Sequence, residues 1–530
     1  MKITNIPFQK TGYFSTMMCD YLEKSAKINS FYGNFPDVDG FKKQIVLKEK
    51  SFSNSKRQVL VEVLQQQYEN VKASDATTEN IQLLLKENTF TVTTGHQLNL
   101  FTGPLYFLYK IISAINLAEE LSEKFPQQHF VPVYWMATED HDFEEINFFN
   151  FKGKKVQWNT AQTGAVGRFS TDGLEAVFNE FSKHIGNSKN AEHLKTLFTE
   201  GYLQHTTLAE ATRYIANELF AAYGLVIIDA DDEKLKQELS PFAREELLHQ
   251  TSFTTVSTTN EKLAESYKIQ VNPREINLFY LTDMVRERIV FENGVYQVNG
   301  TNISFTKDEM LAELEQYPAR FSPNVIMRPL YQEVILPNLC YIGGGGELAY
   351  WMQLKDYFDA VEVPFPILLL RNSVQVLSEK QAKKLEKLSV SVEEIFLKQH
   401  KLINKKVNEN SAISVDFSKQ KDFLQQQFDE LRKVAAQTDA SFIGAVNAQE
   451  KKQVKGLETL EKRLLRAEKR KHKELVDRIA EIQNEILPNQ SLEERQRNFS
   501  EFYLEYGESF VKTLKNNLQP LQLEFTVLKL

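Results

Sequence analysis

Apolar and polar positions alternate along this chain with two different periods, and the switch between them outlines the fold. TFTVTTG (89–95) is a short β-favouring run ending in glycine, which predicts a buried strand. TGPLYFLYKIISAINLAEELSEKF (102–125) repeats its apolar residues at helical spacing, with Pro104 near the first turn. HFVPVYWMA (129–137) predicts a second buried strand running into TEDHDFEEIN (138–147). LFAAYGLVIIDADD (219–232) predicts a third, with Gly224 closing the preceding helix and acidic residues at the strand's end. The sheet resumes at NVIMRPLYQEVILPNLCYIGGGGELAYWMQLKDYF (324–358) and ends with VPFPILLLRNS (363–373). Strands separated by helix-length segments imply βαβ units and a parallel sheet, an α/β fold.

Other segments break this rhythm. The first ninety residues are expected to be helical surface material with a loop at FYGNFPDVDG (31–40). Residues 151–218 are polar and predicted to be mostly helical, and FENGVYQVNG (291–300) carries an Asn-Gly hairpin signal. Both look inserted into the sheet domain. From about 378 onward Gly and Pro become sparse. DFLQQQFDELRKVAAQ (422–437) sets Phe423, Leu424, Phe428, Leu431 and Val434 on one helical face. After a turn near SFIGAV (441–446), Leu457, Leu460 and Leu464 have heptad spacing; so do Leu475, Ile479, Ile482 and Ile486, one residue out of phase. Two antiparallel helices forming a coiled-coil arm account for this pattern. The expected division is 1–150 for the first part of the core, 151–218 for a helical insertion, 219–377 for the second part with a hairpin region at about 270–320, and 378–530 for the helical domain.

Composition narrows the function classes. A formal charge of −8 argues against bulk nucleic-acid binding, and the basic run KRLLRAEKRKHK (462–473) is read as a solvated helix face. Cys19 and Cys340 are too few for a disulfide framework or a structural zinc site. MKITNIPFQKTGYF has no apolar signal core and no run is long enough for a membrane span, so a reducing cytoplasm is the expected location.

Candidate chemistry gathers at the predicted strand ends. TTGHQ after the first strand offers backbone N–H groups and a turn histidine, His96, to an anion at the carboxyl edge of the sheet, where Gly95 and Gly103 permit close approach. After the second strand, Glu139, Asp140, Asp142, Glu144 and Glu145 crowd around His141. Helix capping uses one such residue; the rest suit magnesium, a substrate amine, or general-base work by His141. Four glycines, Gly343, Gly344, Gly345 and Gly346, precede a helix beginning near Glu347, and Arg328 can clamp a carboxylate or phosphate. Arg371, Asn372 and Ser373 end the last strand. Cys340 is expected to be a buried small residue.

TTGHQLNLFTGPLYFLYKIISAINLAEEL, VPVYWMATEDHDFEEIN and RPLYQEVILPNLCYIGGGGELAYWMQLK together closely resemble the BshC family of bacillithiol biosynthesis, over nearly the whole chain. The resemblance implies a Rossmann-like core similar to class I aminoacyl-tRNA synthetases, two connective insertions, and a helical coiled-coil domain that supports a homodimer. It implies a ligase that adds L-cysteine to glucosaminyl-malate, using ATP (leaving AMP or ADP) with Mg2+ as a companion ion and no resident metal. The synthetases' His-x-Gly-His signature is matched only by the glycine and histidine of Thr94, Gly95, His96 and Gln97; Arg371, Asn372 and Ser373 stand where those enzymes carry a lysine-serine loop. On this basis His96, Asp140, His141 and Asp142 are the expected catalytic group. Thr94, Gly95, Gln97, Gly103, the four glycines and Arg371 to Ser373 are expected to bind nucleotide, and Tyr106, Glu139, Arg328, Tyr331 and Glu347 substrate. Two other classes fit parts of the pattern: a nucleotide-binding coiled-coil scaffold without ligase chemistry, and a metal-dependent hydrolase built on the acidic cluster.

Overall fold

A run whose residues are all apolar, threonine or glycine has no face suited to water, and TFTVTTG is such a run. In the computed structural model, which describes residues 2–438 and 440–530, it forms with His96 the strand β1 (Thr89–His96), buried at every position. Around it lie β2 (His129–Met136), β3 (Val226–Asp229), β4 (Asn338–Gly343) and β5 (Ile367–Leu370). The order is β5-β4-β1-β2-β3 with every pairing parallel. Continuous burial is what a parallel sheet covered on both faces requires. The chain moves outward from β1 on one side and from β4 on the other, so the strand order reverses between them. That reversal opens a crevice at the carboxyl ends of β1 and β4.

The helices α1 (Tyr106–Lys124), α2 (Glu233–His249), α3 (Arg328–Ile335) and α4 (Gly345–Met352) surround the crevice. Helix α1 starts later than its apolar spacing predicts. The preceding turn holds Phe101, Thr102 and Gly103 at φ of 46°, 67° and 62°, a left-handed run that no helix can enter. At Gly103 a Cβ would lie 2.5 Å from that of Asn99, so only glycine fits. RPLYQEVI, placed by its apolar content in the resuming sheet, is the helix α3; Pro329 in its first turn loses no internal hydrogen bond.

The first insertion is less helical than its polarity suggests, since it opens with a hairpin of Phe148–Phe151 and Lys154–Gln157 before three helices. The second is a five-stranded antiparallel sheet whose Asn293-Gly294 turn has φ of 54° and 84°, the geometry its dipeptide predicts. The first ninety residues are not surface material alone. Met18, Tyr21, Phe41 and Leu60 are fully buried, and Lys2–Pro7 pairs antiparallel with Glu524–Lys529, which runs parallel to Val374–Leu377.

The helical region contains α5 (Ser418–Ala435), α6 (Ala440–Lys471), α7 (Lys473–Ile486) and the short α8 (Glu493–Gln496). Helices α5 and α6 form the expected antiparallel arm, closed by Phe428, Ala435 and Val446. Phe423 and Leu460 are instead 63% and 52% exposed. Ile479, Ile482 and Ile486 on α7 are buried in the main core, with α7 against the helix Gln399–Asn410, so their seam lies within one chain. Among the described residues no helix is long and apolar enough to cross a membrane.

Candidate active site

Adjacent residues of a strand face opposite ways, so Gly95 and His96 at the end of β1 open onto two different compartments. On the Gly95 side stand Trp135 from β2, Tyr341 from β4, Arg328 from α3 and Trp351 from α4. A Cβ at Gly95 would lie 3.3 Å from the Tyr341 hydroxyl and 3.8 Å from Arg328 Nη1. The Arg328 guanidinium sits 5.8, 5.7 and 5.9 Å from the ring centroids of Trp135, Tyr341 and Trp351. Its Nη1 donates to Gln332 Oε1 at 3.3 Å, while Nη2 is buried without a partner. Among the described residues no carboxylate forms an ion pair with it; Tyr350, Tyr341 and, at longer range, Glu347 favour its charge, so a cation walled by aromatic rings faces the crevice without a direct counter-ion.

On the other side, His96 is not the surface turn histidine its sequence suggests. It is the last residue of the strand, 7% exposed, with the rings of Tyr106 and Phe107 at 5.5 and 5.1 Å. Burial, reinforced by the nearby Lys110 ammonium, pulls its pKa down to about 3, so the imidazole is neutral. Its Nε2 is buried without a partner. Lys110 Nζ donates to the Gly95 carbonyl at 2.5 Å and to Glu347 at 2.8 Å. Glu347 also accepts from the Tyr341 hydroxyl at 2.9 Å and from the Gly344 N–H at 2.8 Å, capping α4. Burial opposes its ionisation, but Lys110 and these donors outweigh it and hold the carboxyl below its ordinary value. Glu347 thus joins the two compartments.

Arg371 closes this side. Its two Nη atoms donate to Glu494 of α8 at 3.0 and 2.6 Å, and its guanidinium lies 5.0 Å from the Tyr106 ring. Its Nε is buried without a partner, 3.8 Å from where Gly344 would carry a Cβ. Arg495, exposed on α8, approaches the same Tyr106 ring at 6.0 Å.

At the end of β2, Gln97 Nε2 donates to Asp140 Oδ2 at 2.8 Å and to Glu145 at 3.0 Å. Ligand atoms of Asp140, His141 and Asp142 lie within 4.8 Å of one another. Arg286, from the second insertion, donates to His141 Nδ1 at 2.6 Å. A guanidinium only donates, so Nδ1 accepts and a ring N–H sits on Nε2. In this geometry the Nδ1 lone pair is taken by Arg286 and His141 presents Nε2–H to the crevice as a donor. Asp142 precedes the turn Phe143–Ile146 but makes no capping hydrogen bond, so capping does not account for its carboxylate. Glu139 lies deeper, with Lys236 Nζ at 2.6 Å; Lys236 also pairs with Asp231 at 3.0 Å.

Several expected site residues have their polar groups taken by the fold. Thr94 donates to the Ile342 carbonyl, Tyr331 to the Ala230 carbonyl, and Asn372 to the Gln519 carbonyl. Ser373 lies between Arg371 and Glu494. Gly343 and Gly345 are pressed by Tyr341 and Met18, whereas Gly346 faces open space. Cys340 is buried and its thiol is pushed well up by burial, as an inert core residue. Lys110, Arg286, Gln332, Glu494 and the three aromatic walls are partners that no local motif announces.

The family described as Bacillithiol biosynthesis BshC, N-terminal Rossmann-like domain, matches residues 1–372, and its C-terminal coiled-coil domain matches residues 374–530. Two proteins named "Putative cysteine ligase BshC", from Flavobacterium johnsoniae and Christiangramia forsetii, are 57% and 56% identical to this chain. Each alignment covers 99% of this chain, with 99% and 98% of the relative. A protein of the same name from Bacillus cytotoxicus is 29% identical across 93% of this chain and 94% of its own. The parallel sheet with its reversal at β1 and β4, the helical arm and these matches agree: the chain belongs to the BshC family of bacillithiol biosynthesis.

Proposed function

We propose that this protein is a cysteine ligase that joins the carboxyl of L-cysteine to the amine of glucosaminyl-malate, giving bacillithiol, with ATP as the activating co-substrate. The observation that carries the assignment is Arg328, a cation held between three aromatic rings with no carboxylate of its own. A malate-bearing substrate brings the missing anion, and a guanidinium is shaped to hold a carboxylate by two parallel hydrogen bonds.

The second compartment suits a polyphosphate. His96 Nε2 and Arg371 Nε are buried polar atoms lacking partners, Gly346 faces open space at the start of α4, and Arg495 adds an exposed cation. ATP bound there supplies a leaving group for the cysteine carboxylate, and Asp140, with Glu145 beside it on Gln97, is the carboxylate that suits its Mg2+. The amine must lose a proton as the amide forms. Asp142, with its side chain 58% exposed and no capping role, is the carboxylate free to take it, and Asp140 is oriented beside it by Gln97. His141 faces the same space as a donor.

The arm supports a homodimer. Phe423, Leu431, Val434 and Leu460 are exposed apolar residues on α5 and α6, and Phe423 and Leu460 line a groove of about 560 Å³. A second copy of the arm would bury them.

Purified protein incubated with L-cysteine, glucosaminyl-malate and ATP tests the proposal, with bacillithiol read by mass and the nucleotide product by chromatography. Bacillithiol with matching AMP or ADP is expected. ATP turnover without bacillithiol would sink the ligase assignment.

A further inference from the structure

An arginine offered to a ligand needs an orientation, yet a carboxylate that oriented it would also cancel its charge. The surroundings of Arg328 meet both demands through an amide. Gln332, one helical turn along α3 and fully buried, accepts from Arg328 Nη1 through Oε1 at 3.3 Å and donates through Nε2 to Glu333 Oε1 at 3.0 Å. The amide can point only one way, because the guanidinium has no acceptor. Glu333 is held in turn: Asn338 Nδ2 donates to it at 2.6 Å and Lys48 Nζ at 3.1 Å, and the Lys48 and Glu333 side chains are 1% and 0% exposed. Asn338 accepts from the Thr91 and Thr93 hydroxyls of β1 at 3.2 and 2.8 Å.

The nearest buried carboxylate on α3 is therefore neutralised by lysine, and a neutral amide stands between it and the arginine. We infer that Gln332 is a positioning residue that aims Arg328 at the carboxylate of the bound acceptor without reducing its charge, with the Lys48–Glu333 pair fixing Gln332. The inference rests on the assignment of Arg328 to that carboxylate. Its consequence is specific to affinity for an anionic ligand. Removing the amide lets the guanidinium turn and lowers affinity; weakening the network at Thr91, whose hydrogen bond to Asn338 is duplicated by Thr93, lowers stability alone.

The test is calorimetric titration of the full-length protein with glucosaminyl-malate, which needs no catalysis. Gln332→Met is expected to weaken binding about tenfold, the order of one hydrogen bond to a charged group. Thr91→Val, which loses a hydrogen bond to Asn338 but touches neither Gln332 nor Arg328, is the control: its melting temperature falls and its affinity stays within twofold of the parent. Gln332→Asn keeps a neutral amide but is a methylene too short to reach, and serves in place of Gln332→Met if that variant is insoluble. Gln332 variants that bind like the parent while Arg328→Met has lost binding would overturn the inference, as would equal weakening by Thr91→Val. If Arg328→Met binds like the parent, the assignment of Arg328 itself fails and takes this inference with it.

Discussion

Replacing Glu494 by alanine separates what Arg371 does for the fold from what it does in the site. The pair is bidentate, at 3.0 and 2.6 Å, and the side chains are 4% and 1% exposed. Removing one partner of a buried pair costs roughly 3–5 kcal/mol, because the other charge is left unmatched. Arg371 Nη1 keeps hydrogen bonds to the Asn372 carbonyl at 2.9 Å and to Ser373 Oγ at 3.1 Å, which places the loss at the lower end, about 3 kcal/mol. Replacing both partners, Arg371→Met with Glu494→Leu, leaves no buried charge. The remaining deficit is the Val374 N–H and the Ser373 hydroxyl, each of which loses Glu494 as acceptor at 3.3 Å, about 2 kcal/mol together. Guanidinium denaturation of the parent, both single variants and the double variant completes the cycle, with a coupling of about 2 kcal/mol or more expected. ATP affinity reads the other role: the double variant recovers stability but not nucleotide binding, since the Arg371 guanidinium and its unpartnered Nε beside Gly344 are gone. A Glu494→Ala loss under about 1 kcal/mol, or a double variant no better than the single, would refute the account of the pair.

Three further outcomes are expected. His96 has its pKa held below the ordinary 6.5, at about 3, so its contribution is intact above pH 6.5 and is lost as pH falls toward 3, by about 1.4 kcal/mol per pH unit. His96→Phe should lack that component, and parallel stability-versus-pH curves between pH 6 and 4 would disprove a buried neutral imidazole. Asp142→Asn should melt within about 0.5 kcal/mol of the parent yet lose most product formation; near-normal synthesis would remove Asp142 from the chemistry. Paired Phe423→Lys and Leu460→Lys replacements should give folded monomers by light scattering, whereas Ile482→Lys should cost several kcal/mol whatever the assembly, because it buries an unpaired charge. An unchanged mass for the arm variant would move the interface elsewhere.

The core strands were legible because burial on both faces leaves a local mark: TFTVTTG and VPVYWMA are apolar or β-branched throughout and end at glycine or acid. RPLYQEVI was not, since its apolar residues serve a helix as well as a strand and only its partners decide. That the strand-end glycines and charges meet around one crevice followed from their places at the carboxyl ends of the strands. Its wiring did not, because Lys110 meets Glu347 and Arg371 meets Glu494 across 237 and 123 residues. His96 shows the difference most plainly. Its neighbours in sequence mark a turn, and the rings that bury it come from α1. Likewise Leu475, Ile479, Ile482 and Ile486 carry a heptad rhythm, but rhythm does not say whether the facing helix belongs to the same chain.

The strand Glu524–Lys529, seated between Lys2–Pro7 and Val374–Leu377, sets a timetable for biosynthesis. It leaves the ribosome about 150 residues after β5, which at roughly 5–20 residues per second is a wait of about 8–30 s. Through that interval the Rossmann-like half can close its parallel sheet, but residues 2–7 have no partner and Val374–Leu377 shows an unpaired edge. Glu494, which holds Arg371, and Asn498, which donates to the Phe101 and Gly103 carbonyls, arrive in the same late stretch. The nascent chain therefore carries a folded sheet with an unfinished crevice, and the crevice is completed only as synthesis of the helical half ends.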